Sequence, residues 1–312
     1  MAKTRAATRR AARPRAHTTR QRLAERDLRL AARLEALVLS TDRVARREAD
    51  PVSFPHRYED AGDREVVALL SALLAFGQVQ TIRASIARVL ASLGPSPART
   101  IDEISEASLG ARLEGFVHRV YRGQDVARLL AGAAALRRRS GSLARAIEVF
   151  ADDEAIEVPP ALASRARLVR VLVGLGDALR GPPPPRRGLV HLVPDARRGS
   201  ACKRLLLFLR WMARPADGVD LGLARLSPSA LVIPLDTHVH RIARNLALTD
   251  RTDASLRTAI EITDALARLD AEDPVRFDFA ICHLGVSRQC PSRRDRSLCE
   301  RCALRDVCRH WR

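Results

Sequence analysis

The chain has 312 residues, of which 46% are apolar and 29% charged, so it can bury a sizeable core and has the composition of a globular protein. Its formal net charge of +18 favours polyanionic partners, and nucleic acid is the first of these to consider. No uncharged apolar run reaches the roughly 18 residues of a membrane-spanning helix, so we expect no membrane partner.

Residues 1–22 carry eight basic residues and no acidic residue, which is typical of a disordered basic arm. Contact with nucleic-acid phosphates and simple solubilisation both account for such an arm. The charged start lacks the apolar core of a signal peptide. We therefore expect a cytoplasmic, nucleoid-associated protein.

Residues 23–312 show apolar side chains at helical spacing, and no alternating strand pattern longer than four residues is evident. The pattern predicts an all-α fold. Asp63 is expected to cap a helix that ends near Gly77. The predicted helices span residues 20–39, 63–77, 79–93, 101–113, 125–138, 143–151, 160–179, 237–248, 256–269 and 274–285, and one further helix begins at Lys203.

The stretch from Gly181 to Ser200 interrupts this helical pattern. Its four successive prolines forbid helix, and its glycines permit tight turns. An interdomain linker would have this composition. The apolar segment GLVHLVP within it indicates instead a crossover that packs against the core.

Four cysteines lie close together near the end of the chain, in residues 286–312. Their short spacing, C-x8-C-x2-C-x5-C, lets four thiolates converge on one centre. Such a set can hold a [4Fe–4S] cluster or a tetrahedral zinc ion, and spacing alone does not decide between them. The predicted ligands are Cys290, Cys299, Cys302 and Cys308. Cys202 and Cys282 lie in apolar helical contexts and are expected to be small buried hydrophobes.

Lys203 is unusual because the only other lysine in this arginine-rich chain is Lys3. Arginine binds phosphate but stays protonated, whereas a lysine amine can become a nucleophile when burial or nearby cations lower its pKa. The apolar helix that follows Lys203 and the neighbouring Arg204 would favour the neutral amine. A phosphate contact or a surface lysine with a buried stem is the simpler alternative.

Three segments together carry a resemblance: GSACKRLLLFLRWM, IPLDTHVHRIAR and the cysteine tail. They resemble the helix-hairpin-helix DNA glycosylase superfamily, which includes endonuclease III and the adenine glycosylase, and more closely an uncharacterised bacterial family within it. The segment LDTHVHRI is similar to the VDTH motif of those enzymes, whose aspartate is catalytic. The similarity extends from about Asp63 to Cys308.

Several features depart from the endonuclease III pattern. That enzyme carries its hairpin as LPGVGRKTA, whereas this chain has VPDARRGSACKRL and lacks the compact Gly-x-Gly pair. The first cysteine gap is two residues longer than the family's usual six. Lys203 and Asp236 lie 33 residues apart because of an insertion, and archaeal 8-oxoguanine glycosylases have a similarly wide gap.

The resemblance implies a two-lobed helical glycosylase fold and a DNA base-excision glycosylase, with or without abasic-site lyase activity. Lys203 would attack C1′ of a damaged nucleotide, and Asp236 would activate the lysine or stabilise positive charge on the sugar. Helix capping is the simpler role for Asp236. The alternatives are a non-catalytic nucleic-acid-binding protein that keeps the scaffold and metal loop, and a zinc-bound interaction protein.

The implied partner is double-stranded DNA with a damaged or mispaired base, which would be flipped into a pocket. Residues 193–199 would hold the backbone through amide groups and arginines, and the cysteine loop would present further arginines. The sequence identifies no protein partner. The predicted DNA contacts are Arg197, Arg198, Gly199, Arg204, His238, Arg293 and Arg294.

Overall fold

A computed structural model describes residues 19–182 and 184–311 of the chain. Most of the predicted basic arm lies outside these residues. Residues 19–22 are described, and they form the start of the first helix rather than the end of an arm. No helix in the described part of the chain is long and apolar enough to cross a bilayer.

The described residues are mostly helical, which confirms the predicted all-α class. The helices are α1 (Thr19–Ser40), α2 (Arg43–Ala49), α3 (Ala61–Leu73), α4 (Val79–Leu93), α5 (Pro97–Glu103), α6 (Glu106–Arg112), α7 (Gly123–Ser140), α8 (Leu143–Asp152), α9 (Ala166–Arg180), α10 (Arg187–Leu192), α11 (Lys203–Ala213), α12 (Thr237–Asn245), α13 (Leu256–Ala267), α14 (Asp278–Val286) and α15 (Arg296–Glu300). One short antiparallel hairpin pairs β1 (Val117–His118) with β2 (Tyr121–Arg122).

The core forms around α3, which is buried on nearly every side. This helix packs against α11, α5 and α8, while α7 packs against α8 and α9. Elsewhere α12 and α1 both pack on α14. Helices α11, α12 and α14 each start at or next to a residue that lines one shared cavity. The packing of these three helices therefore determines the shape of that cavity.

The prediction that Asp63 caps its own helix is wrong. Asp60 is the cap, and its carboxylate accepts a hydrogen bond from the Asp63 amide at 2.9 Å. The Asp63 carboxylate instead accepts from the amide of Ala98 at 2.7 Å, in the first turn of α5. Two acidic residues three positions apart made both assignments possible from sequence, and tertiary packing selects between them.

Other helix boundaries also differ from the prediction, and two of them show why. Helix α3 ends at Leu73, four residues before Gly77. The single helix predicted for residues 101–113 is divided into α5 and α6. The Ser105 side chain accepts a hydrogen bond from the Ser108 amide and so starts a new helix at that point.

The proline-rich stretch is a crossover that packs against the core, and it is not an extended interdomain linker. It contains α10, whose Leu189 and Leu192 are buried in the core. At 2.9 Å, the Arg180 guanidinium donates to the carbonyl of Val193 and ties this stretch to the end of α9. The crossover thereby delivers the chain to the start of α11.

Candidate active site

A cavity of about 1250 Å³ lies where the start of α11, the start of α12 and one face of α14 meet. Its volume exceeds the roughly 300–1,000 Å³ of typical small-molecule pockets. Both residues predicted to be catalytic line it. Its lining includes Asp50, Lys203, Asp236, Asp278, Cys282 and His283.

Lys203 is the first residue of α11, and an unusual backbone conformation precedes it. Cys202 adopts a left-handed conformation with φ of 48°, which is uncommon for a residue with a side chain and clusters at functional sites. Burial of Cys202 and a 3.2 Å hydrogen bond from its amide to the Ser200 hydroxyl hold this turn. The Lys203 side chain, 30% exposed, lies at the cavity wall.

Asp236 is the N-cap of α12, and its two carboxylate oxygens have different partners. Oδ1 accepts hydrogen bonds from the amides of His238 at 2.9 Å and Val239 at 2.8 Å. Oδ2 lies 3.7 Å from Nζ of Lys203 and 4.0 Å from Sγ of Cys282. Capping and a role in chemistry are therefore compatible, because each uses a separate oxygen.

The insertion between the two residues folds back along α11. The amides of Leu221 and Leu223 donate to the carbonyls of Trp211 and Met212, each at 2.7 Å. Residues 231–235 are then buried and run back to Asp236. This return path explains how 33 residues of separation bring two side chains to one cavity.

A buried charge network supports the cavity from the side of α11. Arg210 lies two helical turns after Lys203 and so projects from the same side of the helix. Its guanidinium donates to Asp278 at 2.9 Å and pairs with Asp220 at 3.1 Å. Burial raises the pKa of Asp278 to about 6, and the nearby negative charge of Asp236 adds to this effect.

Sequence reasoning missed several cavity residues, including Asp50, Arg210, Asp278 and His283. The spacing of Arg210 from Lys203 was a usable signal, because residues seven apart share a helix side. Cys282 was expected to be a small buried hydrophobe, yet it is partly buried and lines the cavity. Cys202 is fully buried as predicted, and burial raises the pKa of its thiol to about 12.

The predicted hairpin contacts lie together on one short turn that the Asp195 side chain caps. Arg197 forms two ion pairs within the protein, with Asp177 at 2.6 Å and with Asp195 at 2.9 Å. Arg198 is 82% exposed. Gly199 follows with φ of 78°, a left-handed conformation that glycine adopts without strain.

Arg204 has a structural role, and its predicted DNA contact stays a prediction. It is buried, and its guanidinium donates to the Leu73 carbonyl at 3.2 Å, to the Tyr121 hydroxyl and to the His191 carbonyl. The sequence placed it beside Lys203, but its side chain joins α11 to α3 and to α10. Three of its five N–H groups are therefore used by acceptors within the protein.

His238 lies at the cavity and against α14. Its ring lines the cavity, and its Cβ would lie 2.5 Å from a Cβ placed on Gly285. Only glycine at position 285 permits this close approach. The His238 Nδ1 atom is buried and has no hydrogen-bond partner among the described residues. Its predicted contact with a DNA backbone stays a prediction.

The four cysteines of the tail influence one another electrostatically. Burial is the main cause that raises the pKa values of Cys290 and Cys302. The charges of Cys302 and Cys308 add to the rise at Cys290, and those of Cys308 and Cys299 add to the rise at Cys302. Four thiols are, by their chemistry, a donor set that suits iron–sulfur or zinc ligation. Within residues 19–182 and 184–311, however, no three His, Cys, Asp or Glu side chains are arranged to hold a metal ion.

The cysteine loop packs against α12, the helix that Asp236 caps. The Arg241 guanidinium donates to the carbonyl of Cys290, and the Arg309 amide donates to the carbonyl of Asn245 at 2.7 Å. The loop therefore supports the helix that positions the candidate catalytic carboxylate.

Two predicted DNA contacts of this loop, Arg293 and Arg294, are exposed. Arg294 lies over the Trp311 ring at 4.6 Å, so the chain end fixes its direction. Arg293 extends from the same exposed loop.

The comparisons with known proteins concern the part of the chain that contains this site. No match was found among curated proteins or among solved structures. One family model, described as Protein of unknown function (DUF2400), matches residues 50–287, which is more than half of the chain. The match includes Asp50, Lys203, Asp236 and His283 and ends before Cys290. The chain therefore belongs to the DUF2400 family.

Proposed function

We propose that this protein is a DNA base-excision glycosylase with abasic-site lyase activity, in which Lys203 is the nucleophile. The observation that carries the proposal is the 3.7 Å separation of the Lys203 amine and the Asp236 carboxylate at the wall of a large cavity. An amine beside a carboxylate is the arrangement that covalent catalysis at a sugar carbon needs.

The amine of Lys203 would attack C1′ of the target nucleotide, forming a C–N bond as the bond to the base breaks. The electron pair of the broken bond leaves with the base. Asp236 would accept a proton from the attached amine through Oδ2, while Oδ1 stays bonded to α12. Opening of the sugar would give a Schiff base, and loss of a proton from C2′ would then cleave the strand by β-elimination.

The charge distribution supports a DNA substrate. The net charge of +18 draws the protein to any polyanion, and exposed arginines project from the hairpin turn at Arg198 and from the cysteine loop at Arg293. A base within a duplex is inaccessible, so it would have to be flipped into the cavity. A DNA substrate would place the protein at the nucleoid.

We also propose that Cys290, Cys299, Cys302 and Cys308 hold a [4Fe–4S] cluster, with zinc as the alternative. Such a centre would supply structural cross-links, and no step of the reaction passes through it. The contact between the cysteine loop and α12 supports this role, because a fixed loop would hold the helix that Asp236 caps.

The experiment is a panel of duplexes containing an abasic site, uracil, 8-oxoguanine, thymine glycol or a mispaired adenine, with borohydride added to trap Schiff bases. Wild-type protein should cross-link to the abasic duplex. Lys203→Ala should not, and Asp236→Asn should react much more slowly. Binding of every duplex without any cross-link or excision would favour the non-catalytic nucleic-acid-binding alternative and contradict the proposal.

A further inference from the structure

We propose that Asp50 is a second catalytic carboxyl in the cavity, which donates a proton to the departing base, and that His283 is its positioning residue. This inference rests on the proposed function, because it assigns the partner step of the Lys203 attack. Lys203 forms the new bond at C1′, and the base that leaves needs a proton.

The backbone holds Asp50 at the cavity wall. Its Oδ1 accepts a hydrogen bond from the Val52 amide at 3.0 Å, as the cap of a short 3-10 helix over Pro51–Ser53. The Arg83 guanidinium binds the Asp50 carbonyl at 3.0 Å. These contacts leave Oδ2 as the oxygen that can act on a substrate, and the side chain is 26% exposed.

His283 is the side chain of α14 that lies beside that oxygen. Its Nε2 lies 3.7 Å from Asp50 Oδ2, and its side chain is only 12% exposed. The imidazole packs against the Phe279 ring with centroids 4.3 Å apart, so α14 fixes the ring. A fixed imidazole at this position limits the space open to the Asp50 carboxyl, which is the positioning role that we assign to it.

Consecutive residues of α14 contact the two carboxylates. Cys282 lies 4.0 Å from Asp236 Oδ2, and His283 lies 3.7 Å from Asp50 Oδ2. One helix therefore contacts both Asp236, the partner of Lys203, and a second carboxyl, Asp50. Two carboxyl groups in different surroundings at one cavity are the usual arrangement for an acid and a base with separate tasks.

The charges around Asp50 agree with a proton donor. Burial raises the pKa of Asp50, against the opposing effects of the Val52 hydrogen bond and of the charges on Lys203, Arg210 and Arg83. Burial and the charges of Arg46 and Arg210 lower the pKa of His283 to about 4, so the imidazole is neutral at pH 7. A neutral imidazole adds no positive charge that would hold Asp50 as an anion.

The Lys203 nitrogen forms a bond to C1′ and becomes cationic, and the bond from C1′ to the base breaks. The electron pair of that bond stays on the base, which takes the proton from Asp50 Oδ2. The resulting Asp50 carboxylate lies within the field of the new cation on Lys203, which offsets its charge.

The test compares Asp50→Asn with wild type in two reactions, each under single-turnover conditions. The first is base excision from duplexes containing uracil, 8-oxoguanine, thymine glycol or a mispaired adenine. The second is borohydride trapping on an abasic duplex, where no base has to leave. Loss of a general acid should slow excision by about 10²–10⁴-fold and leave abasic trapping within a few fold of wild type.

The controls separate this inference from the function on which it rests. Asp152→Asn changes a largely exposed carboxylate paired with Arg167 and should leave both reactions unchanged. His283→Gln should slow excision by less than Asp50→Asn and likewise spare abasic trapping. Equal losses in both reactions with Asp50→Asn would show a structural role and overturn the inference.

If wild type excises none of the four bases yet traps the abasic site, the inference fails and the assignment of Lys203 stands. If wild type also fails to trap the abasic site, the proposed function itself fails.

Discussion

The ε-amino nitrogen of Lys203 lies 3.7 Å from Oδ2 of Asp236, although the two residues are 33 positions apart and begin different helices. The other oxygen of Asp236 receives two amide hydrogen bonds from α12. The helix therefore fixes the carboxylate before any substrate arrives. Preorganised charge of this kind needs no rearrangement during the reaction.

The two roles of Asp236 can be separated by substitution. Asparagine caps helices about as well as aspartate, so Asp236→Asn should leave the free energy of unfolding nearly unchanged while reducing activity by about 10²–10⁴-fold. Asp236→Ala should lose the same activity and also about 0.5–2 kcal/mol of stability. Denaturant unfolding and single-turnover excision measure the two effects. Full activity in Asp236→Asn would show that the charge is not needed.

Arg198 and Arg204 should respond in opposite ways to substitution by glutamine. Arg198→Gln removes an exposed cation, so the slope of log affinity for DNA against log salt should fall by about 0.9 with stability unchanged. Arg204→Gln should leave that slope unchanged and cost about 1–3 kcal/mol, because buried acceptors lose their donor. Salt titrations and thermal unfolding provide the readouts. If Arg204→Gln changed the salt slope, Arg204 would be shown to contact DNA.

Metal content distinguishes the two centres proposed for the tail. Anaerobically purified protein should be brown with broad visible absorption and contain about four iron atoms per chain, whereas a colourless protein with a single zinc would support the alternative. Cys302→Ser should lose the metal, and Cys202→Ala, which changes a cysteine outside the tail, should keep it. Metal-free wild type with an unchanged fold would contradict both assignments.

The pH dependence of the free energy of unfolding should show the effect of the lowered pKa of His283. Its folded pKa is about 4, below the roughly 6.5 of an unfolded chain, so the unfolded state takes up a proton first as pH falls. Stability supplied by the neutral imidazole is thus present above pH 6.5 and is lost towards pH 4, by about 3 kcal/mol. Relative to His283→Gln, wild type should lose this much between pH 7 and 4. Parallel stability curves for the two proteins would contradict the burial of His283.

Local sequence signals predicted the elements whose determinants are themselves local. Helix α4 spans Val79–Leu93 as predicted, and α11 begins at Lys203. Asp236 caps α12, as the residues around it indicate. Apolar periodicity and capping residues suffice for such elements because the interactions lie within one or two turns.

The sequence could not predict features that depend on tertiary contacts. Asp50 lines the same cavity as His283 and lies 3.7 Å from it, although more than 200 residues of chain separate the two. Arg204 carries the charge of a DNA contact, yet its acceptors come from α3, β2 and α10. No local pattern shows where a long side chain finds its partners.

The most direct test of the central claim is to locate the covalent adduct. The chain contains only two lysines, Lys3 and Lys203, so digestion and mass spectrometry of the borohydride-reduced complex with an abasic duplex identify the amine without ambiguity. We predict that the adduct is on the peptide containing Lys203. An adduct confined to Lys3 or to the N-terminal amine, with Lys203 unmodified, would contradict this account.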